Sequence, residues 1–338
     1  MVILTDCFKE KLDEGCIKVA NSLSKRFKDK KNSYLISYGE KTSCVDEVVK
    51  TDKAFLSGGL YKALAGTKGP IMFLPFSSNS KGGIVKTYFL AKKSKRDVFA
   101  VFTLRHSMQG WEKSLLRASN AKVITLSKDS YDYFREVVGD KAVYLKTGID
   151  TKRFKPVSVE EKNRIREKYG LKPEDKVVIH VGHLKEGRNV DKLLSLGKDY
   201  KAVLVVSSVT QKDEALYQKL KENNVIIIDS YVENIQEVYQ MADVYFFPVE
   251  KERNSIDVPL SVLEAAACNI PVVCTRYGEL KEFEGRSGFF FLGEVSEETV
   301  QKKLNEAIEY KDCNNRDAIM EYDWDNSVNA LEEILGEV

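Results

Sequence analysis

Residues 244–273 read VYFFPVEKERNSIDVPLSVLEAAACNIPVV, and the pattern of this stretch indicates the fold class. Two apolar runs, Val244–Phe247 and Ile270–Cys274, stand on either side of a helical pattern. Proline is favoured at the first position of a helix, so Pro259 indicates where that helix begins. A helix between two apolar strands predicts a parallel βαβ unit and hence a layered α/β protein.

The predicted helix carries one carboxylate on its apolar face. At 100° per residue, Glu264 shares that face with Leu260 and Leu263. It is the only ionisable side chain from Leu260 to Ala267. Because burying an unpaired carboxylate is costly, we expect a hydroxylated or cationic ligand to bind Glu264. The alternative is that Glu264 lies at the edge of the apolar stripe and reaches water.

The length of 338 residues exceeds the roughly 250–300 at which a single core usually stops growing, which predicts two domains. Hydrophobic residues make up 43% and charged residues 31%, as is typical of a globular protein. The formal net charge is only +2, from 53 basic and 51 acidic residues, and this balance argues against a nucleic-acid partner.

The cysteines predict neither a metal site nor a disulfide framework. The six of them include no CxxC pair and stand far from the three histidines, which fits a reducing cytoplasm. The first residues hold too short an apolar run for a signal peptide, and no stretch approaches the ~18 apolar residues that span a bilayer. We therefore expect a cytoplasmic protein whose membrane contact, if any, is peripheral at the inner face.

Short apolar runs alternate with helical patterns along the whole chain. Because the runs are continuously apolar, the strands should be buried on both faces, as in doubly wound parallel sheets. The predicted strands are Val2–Leu4, Tyr34–Ser37, Ile71–Leu74, Val98–Thr103, Val123–Ser127, Ala142–Leu145, Val177–Val181, Ala202–Val206, Val225–Ile228, Val244–Phe247, Ile270–Cys274 and Phe289–Leu292.

The domain boundary is predicted in Thr147–Asp175, a polar and charged stretch with one inserted helix, Glu160–Tyr169. This boundary places a first Rossmann-like domain at residues 1–150 and a second at residues 151–320. Ligands of such sheets bind beyond the carboxyl ends of the strands, so we expect a cleft between the two domains.

A candidate anion site follows the strand Val177–Val181, where the sequence continues GHLKEGRNVDKLL. A helix predicted to begin near Asn189 would present unpaired amides and the positive end of its dipole to a ligand. Arg188 would add charge-assisted hydrogen bonds to a diphosphate, and His183 lies on the same turn. The alternative is a basic surface loop. His180, inside the strand, is interpreted as a hydrogen-bonded core histidine.

Three features of the first half bear on function. Gly15 follows the first strand, where Rossmann-like sheets place a ligand loop, although no GxGxxG fingerprint is present. His106 follows the strand Val98–Thr103 on a loop that topology directs into the cleft, with a plain surface position as the alternative. The basic run Lys92–Arg96 is interpreted as a solvated helix face, and the alternative is a phosphate or lipid-surface patch.

The chain resembles a known family in several segments. Its second half is similar to the carboxyl-terminal domain of retaining, nucleotide-sugar-dependent glycosyltransferases with the GT-B fold (family 4-like, group 1) in VIHVGHLKEGRNVDKLL, ENIQEVYQMADVYFFPV and PLSVLEAAACNIPVV. The end of the first domain is similar in LSKDSYDYFRE and LKTGIDTKRFKP, and the last helix in YDWDNSVNALEEIL. The resemblance covers Val123 to Leu335. It implies two Rossmann-like domains facing across a cleft, and a C-terminal helix at residues 321–338 that packs back toward the first domain.

The resemblance implies roles for matching residues of the second domain. Glu264 matches the glutamate that binds the ribose hydroxyls of the donor nucleotide. Leu260 and Ser261, at the start of the same helix, are further predicted nucleotide-sugar contacts. Arg188 matches the basic residue that holds the donor diphosphate, and His183 occupies the place of its arginine partner.

Further positions follow from the same resemblance. His106 resembles the first-domain histidine that faces the transferred sugar, and Gly15 resembles the glycine loop near the phosphates. Tyr231 and Val232 fall where the base is contacted. Arg188 and His106 are thus the predicted catalytic residues.

One position departs from the family pattern. Ile256 stands where the first glutamate of the E-x7-E motif is expected. The preceding stretch is also longer than usual. Glu250, Glu252 and Asp257 are therefore the candidates for the missing carboxylate.

The main hypothesis is a retaining glycosyltransferase that moves a sugar from a nucleotide-diphosphate sugar to a hydroxyl of a saccharide or lipid-linked acceptor. Arg188 and a helix amino terminus would stabilise the departing diphosphate, so no metal or other cofactor is expected. The competing hypothesis is a catalytically silent GT-B protein that binds a nucleotide sugar or serves as a partner subunit. Ile256 and His183 motivate this alternative.

Overall fold

The structure is a computed structural model that describes residues 1–12, 14–31, 33–207, 211–251 and 255–336. Glu252, one of the candidate carboxylates, lies outside the described residues.

The chain divides into two compact units. The first contains Met1–Gly148, Ser255–Val258 and Trp324–Val338, and the second contains Ile149–Asn254 and Pro259–Asp323. The chain thus passes from one unit to the other after residues 148 and 323. The boundaries predicted from the sequence lie after residues 150 and 320. The segment Ser255–Val258 is a further exchange that the sequence does not predict.

Within its described residues, the first unit is built on seven parallel strands. They are β1 (Val2–Thr5), β2 (Tyr34–Ser37), β3 (Glu47–Val48), β4 (Ile71–Leu74), β5 (Val98–Phe102), β6 (Lys122–Thr125) and β7 (Ala142–Tyr144). Their order in the sheet is β3-β2-β1-β4-β5-β6-β7. The helices between them are α1 (Gly15–Lys31), α2 (Gly58–Ala65), α3 (Lys81–Ser94), α4 (Gly110–Ser119) and α5 (Lys128–Val138), with a 3-10 helix at Gly139–Lys141.

The described part of the second unit contains six parallel strands. They are β8 (Lys176–Gly182), β9 (Tyr200–Val206), β10 (Ile226–Ile228), β11 (Val244–Phe247), β12 (Val272–Cys274) and β13 (Phe289–Phe291). Their order is β10-β9-β8-β11-β12-β13. The α-helices are α6 (Val159–Lys168), α7 (Glu214–Glu222), α8 (Ile235–Gln240), α9 (Leu260–Ala267) and α10 (Glu297–Glu309), and 3-10 helices cover Val190–Ser195, Gly278–Phe283 and Asp317–Tyr322.

The strands are buried because they are apolar on both faces. All residues of β1, β4 and β11 are buried, as continuous apolarity predicts for parallel strands covered on both sides. The predicted α/β class with two doubly wound sheets is therefore confirmed. Pro259 caps α9 rather than opening it, since its ψ of 103° is extended and the helix begins at Leu260. The prediction omits β3, because Glu47–Val48 contains no apolar run.

The last helix, α11 (Trp324–Gly336), belongs to the first unit and packs on α1. Lys30 Nζ lies 2.5 Å from Glu332 Oε2 in an ion pair between the two helices. Trp324 lies against Gly148, where an added Cβ would come within 2.7 Å of the indole, so the close approach requires glycine. Within the described residues, no helix has the length and apolarity to cross a bilayer.

Candidate functional site

The switch point of the second sheet is the place where a parallel α/β protein binds a ligand. The chain leaves β8 toward β9 and later returns on the other side to β11, so the switch point lies between β8 and β11. The turn after β8 meets the segment after β11 there, because Asn189 Nδ2 donates to Pro248 O at 2.9 Å and to Glu250 Oε2 at 2.8 Å. This edge of the second unit is the candidate site.

Arg188 lies at this switch point with only 3% of its surface exposed. Its guanidinium passes over the end of β8. An added Cβ on Gly182 would come within 2.6 Å of Arg188 Nη2, so alanine at residue 182 would push the guanidinium aside. The ring centroid of Phe247, at the end of β11, is 5.9 Å from Arg188 Cζ. Burial lowers the pKa of Arg188, yet arginine stays charged at physiological pH, so the site holds a buried cation.

His180 in β8 is fully buried beside this cation. Its Nδ1 lies 2.8 Å from Phe246 O, which assigns a proton to Nδ1, and its ring stacks with those of Tyr245 and Phe247. Burial, and then the charge of Arg188, lower the pKa of His180 to about 3, so the imidazole is neutral at pH 7. The predicted core position is confirmed, but Nε2 has no hydrogen-bond partner within the described part of the chain.

Glu264 in α9 has 3% of its surface exposed, which rules out the alternative that it reaches water. The Tyr239 hydroxyl donates to Glu264 Oε2 at 2.7 Å. Burial, with the charge of Glu264 as the second cause, raises the pKa of Tyr239, so the phenol keeps its proton and remains a donor. A buried hydroxyl thus orients the carboxylate.

Tyr245 in β11 connects the end of β8 with the start of α9. Its hydroxyl donates to Val181 O at 3.3 Å and hydrogen-bonds to the side chain of Ser261. Its ring centroid is 5.7 Å from that of Tyr239, which binds Glu264. Tyr239 and Tyr245 thus form one buried aromatic cluster. Through this cluster, the predicted residues Ser261 and Glu264 are connected to the end of β8, over which the Arg188 guanidinium lies. Sequence reasoning missed both tyrosines, because Tyr245 lies inside an apolar strand and Tyr239 on a helix, and neither position differs in sequence from an ordinary core position.

The other predicted contacts of the second unit lie on α9, on the turn after β8 and on the loop after β10. Leu260 is buried as the first residue of α9, and His183 is half-buried on the turn after β8. Tyr231 and Val232 are half-buried on the loop after β10, and β9 separates that strand from β8. No hydrogen bond or ring contact among the described residues joins Tyr231 or Val232 to Tyr245.

The helix predicted after Arg188 is wrong in type. Val190–Ser195 form a 3-10 helix of only six residues, and Asn189 before it is left-handed with φ of 53°. A helix this short has little dipole, so the positive potential of the turn comes from Arg188 and not from a helix amino terminus. The left-handed turn directs the Asn189 amide toward the segment after β11, a tertiary contact that local sequence does not reveal.

In the first unit, His106 is half-buried on the loop after β5 and is held through its backbone. Its N–H donates to Asn79 Oδ1, and Asn79 Nδ2 donates to its carbonyl, both at 2.7 Å. Asn79 is buried on the loop after β4, where Ser78 Oγ also accepts hydrogen bonds from the N–H groups of Thr103 and Leu104. The loops after β4 and β5 are thus clamped together, and sequence reasoning missed Asn79.

Gly15 begins α1, and Ile256 occupies the space beside it. A Cβ on Gly15 would come within 2.8 Å of Ile256 Cδ1. The neighbouring Asp257 accepts hydrogen bonds from the hydroxyls of Ser127, at 2.8 Å, and Ser130, at the start of α5. These contacts explain why Ser255–Val258 belongs to the first unit.

The candidate replacements for the missing glutamate therefore differ in position. Asp257 is held in the first unit by two serines of α5 and its cap. Glu250 is exposed in the second unit and accepts from Asn189, next to Arg188. Glu252 lies outside the described residues.

Comparison with known proteins identifies the second unit. Residues 161–323 match the family model of glycosyl transferases group 1. The putative glycosyltransferase EpsD of Bacillus subtilis (strain 168) is 27% identical over 152 residues, 42% of this chain and 39% of that protein. The putative teichuronic acid biosynthesis glycosyltransferase TuaC of the same organism is 26% identical over 192 residues, 54% of this chain and 46% of that protein. Each match thus spans less than half of the relative's length.

Solved structures match the whole chain. The crystal structure of Anabaena Alr3699/HepE in complex with UDP and glucose has a TM-score of 0.79 at 16% identity, and the match covers 100% of this chain and 99% of that one. At this identity the likeness establishes the fold, and it agrees with the two parallel sheets described above. The resemblance drawn from the sequence motifs is confirmed for the glycosyltransferase group and for the GT-B fold. Residues 161–323 are thus similar to the glycosyl transferases group 1 family, and the two α/β units have the GT-B fold.

Proposed function

We propose that this protein is a retaining glycosyltransferase that moves a sugar from a nucleotide-diphosphate sugar to a hydroxyl of a saccharide or lipid-linked acceptor. The observation that carries the proposal is the buried cation of Arg188 at the switch point of a glycosyl transferases group 1 domain. A buried guanidinium at the carboxyl end of a parallel strand suits a diphosphate, which it binds by charge-assisted, bidentate hydrogen bonds.

Arg188 would act on the departing diphosphate. Negative charge grows on the leaving group as the glycosidic bond breaks, and a fixed cation in a site of low dielectric stabilises that charge without reorganisation. The neutral His180 behind it leaves the positive charge on the arginine. We propose that this stabilisation requires no metal ion, so transfer should persist in excess EDTA.

Glu264 would bind the ribose of the donor nucleotide. Its carboxylate is the natural acceptor for sugar hydroxyls, and Tyr239 holds one of its oxygens in place. A group oriented before the ligand arrives loses less conformational freedom on binding. Ser261 lies on the same helix, one turn earlier, and is anchored by Tyr245.

Glu250 is our candidate for the carboxylate that contacts the donor sugar. It accepts from Asn189, the neighbour of Arg188, whereas Asp257 is held by serines of the first unit. Glu250→Gln should raise the KM for the nucleotide sugar several-fold and leave the affinity for the bare nucleotide diphosphate unchanged.

The proposal is tested by screening nucleotide sugars for thermal stabilisation and then for transfer. UDP-glucose is a suitable first probe, because the solved complexes of the structurally similar HepE include UDP, glucose and UDP-glucose. A ligand at 100 times its Kd stabilises a protein by about 2.7 kcal/mol, which a melting curve resolves. Radiolabelled donors that stabilise the protein are then incubated with oligosaccharides and extracted lipids, and the anomeric configuration of the product is read by NMR.

The outcomes separate the proposal from a silent GT-B protein. Ile256 stands where the family has a glutamate, and its side chain packs on Gly15. This observation favours a catalytically silent protein. Stabilisation by a nucleotide sugar without transfer to any acceptor supports the silent protein. Transfer with inversion would refute the retaining mode, and an absence of any nucleotide binding would refute both functions.

A further inference from the structure

A contiguous basic and aromatic surface lies on α2 and α3 of the first unit, away from the residues assigned above. We define this α2–α3 surface by six residues, Leu56, Tyr61, Tyr88, Phe89, Lys92 and Lys93. It includes part of the basic run Lys92–Arg96, for which the sequence leaves two interpretations.

The surface is contiguous because its members contact one another. Lys93 Nζ donates to Leu56 O at 3.0 Å and lies 5.2 Å from the ring centroid of Tyr61. The Tyr61 hydroxyl donates to Phe89 O at 3.2 Å. The rings of Tyr88 and Phe89 are in contact at 5.3 Å, and Lys92 Nζ lies 6.0 Å from the Tyr88 centroid.

The outer face of α3 is apolar as well as basic. The residues of α3 that face the core are Gly83, Ile84, Thr87 and Leu90, which leaves Tyr88 and Phe89 half-buried and Lys92 and Lys93 exposed. Leu56, before α2, has 48% of its surface exposed. A helix face that mixes lysines with aromatic and aliphatic side chains has the composition of a surface that rests at a lipid headgroup boundary.

The charge around this surface is far from balanced. Residues 50–96 contain ten Lys or Arg against one Asp, a net charge of +9, while the whole chain carries only +2. No lysine of this stretch forms an ion pair with a carboxylate within the described parts of the chain. On α1, by contrast, Lys28 pairs with Asp46 and Lys30 pairs with Glu332. The lysines of α2, α3 and their connections thus carry positive charge that no described carboxylate pairs.

Arg96 has a separate, structural role. Its Nε donates to Gly69 O at 2.5 Å and its Nη1 donates to Thr67 Oγ1 at 3.0 Å, which ties the end of α3 to the end of α2. Because α2 and α3 are connected in this way, their exposed lysines form one surface and can contact a flat binding partner at the same time.

We propose that the α2–α3 surface binds an anionic lipid bilayer. Charge complementarity selects the partner, because uncompensated lysines attract the negative surface of such a membrane, and the exposed Leu56 and half-buried Phe89 provide apolar contact at the headgroup level. Nucleic acid would also attract the lysines, but stacking with bases requires exposed aromatic rings, and Tyr61, Tyr88 and Phe89 are each half-buried. The inference rests on this surface alone and does not depend on sugar transfer.

The test is sedimentation of the full chain with vesicles. Protein should sediment with vesicles of phosphatidylglycerol and phosphatidylcholine at 0.1 M salt and stay in solution with pure phosphatidylcholine. Each lysine near an anionic surface strengthens binding about fivefold, so Lys92→Glu/Lys93→Glu should weaken it at least about 25-fold. Raising the salt concentration should release the protein, because screening shortens the electrostatic range.

The matched control changes the same charge elsewhere. Lys219→Glu/Lys221→Glu alters two exposed lysines of α7 in the second unit and should leave vesicle binding within about twofold, since those residues lie outside the α2–α3 surface. Lys53→Glu/Lys62→Glu, at exposed positions flanking Leu56, is a second variant in case the first does not fold.

Three results would overturn the proposal. They are equal binding to charged and zwitterionic vesicles, wild-type binding by both basic-surface variants, and tighter binding to a short RNA than to anionic vesicles. Nucleotide-sugar binding is measured in parallel. Loss of nucleotide-sugar binding in a well-folded variant would count against the proposed transferase function and would leave the membrane-binding proposal unaffected.

Discussion

The two units hold their predicted ligand-binding residues in different ways. In the second unit, Arg188 and Glu264 are themselves buried, and aromatic side chains surround them. In the first unit, His106 is half-buried and is fixed through its backbone by the buried Asn79. The predicted site of the second unit therefore depends on its own buried side chains, whereas the predicted site of the first unit depends on the placement of a loop. Substitutions should accordingly act on nucleotide binding in one case and on transfer alone in the other.

The largest expected effect is on the buried cation. Arg188→Ala removes a contact that strengthens as the diphosphate departs, so kcat should fall about 100- to 1000-fold, by more than the donor affinity. Steady-state kinetics with the donor identified by screening is the measurement. Arg276→Ala is the matched control, because Arg276 is an exposed arginine of the same unit that pairs with Glu284. Normal turnover in Arg188→Ala would contradict its assignment.

The second largest effect is expected from removing the two hydrogen bonds by which Asn79 holds the His106 loop. Asn79→Ala deletes both hydrogen bonds that hold the His106 backbone, and a shift of about 1 Å in a positioned group costs about 100-fold in rate. Transfer should fall by about that factor, and calorimetry should find the affinity for a nucleotide diphosphate unchanged. His106→Ala should give the same asymmetry. A joint loss of binding, transfer and melting temperature would instead assign both residues to the core.

The buried histidine predicts a pH dependence of stability. His180 has a folded pKa of about 3 against about 6.5 when unfolded, so the unfolded chain binds the extra proton between these values. Stability from this group is present above pH 6.5 and is lost as the pH falls toward 3. It should contribute about 2 kcal/mol less to the free energy of unfolding at pH 5 than at pH 7.

Urea denaturation at both pH values measures this difference. His180→Phe keeps a ring between Tyr245 and Phe247 but does not titrate, so its stability should change less between pH 7 and pH 5. An unchanged pH dependence in this variant would show that other groups cause the loss.

The smallest expected effect is at Glu264, the proposed ribose contact. Glu264→Gln keeps the shape but replaces a charged acceptor with a neutral amide, so the affinity for the nucleotide should fall by roughly 1–2 kcal/mol. Tyr239→Phe leaves the carboxylate and removes only the donor that orients it, so its effect should be smaller. Calorimetry against the nucleotide diphosphate ranks the two. Unchanged affinity in both, or an unfolded Glu264→Gln, would make Glu264 structural and remove the contrast between the units.

Local sequence was sufficient to predict most strands of the two sheets. Twelve apolar runs coincide with observed strands, because a strand buried on both faces must be apolar at every position. Among the strands of the described residues, only Glu47–Val48, which pairs at the sheet edge, lacks that signal. The burial of Glu264 also follows from periodicity, since residues on an apolar helix face lie in the core.

Tertiary structure decided how the predicted residues are held. Nothing local indicates that Asn79 clamps His106, because the two residues belong to loops that only strand pairing brings together. The helix after Arg188 became a short 3-10 turn because Asn189 bonds to a segment about sixty residues later in the chain.

The sequence by itself therefore determined the elements and the residue types at the switch points, because hydrophobic periodicity and backbone preferences act over a few neighbouring residues. The tertiary structure alone decided that Ser255–Val258 joins the first unit, with Ile256 against Gly15 and Asp257 bonded to two serines of α5 and its cap. Those contacts join positions more than a hundred residues apart. Their energies depend on packing and hydrogen-bond geometry in three dimensions, which no local pattern encodes.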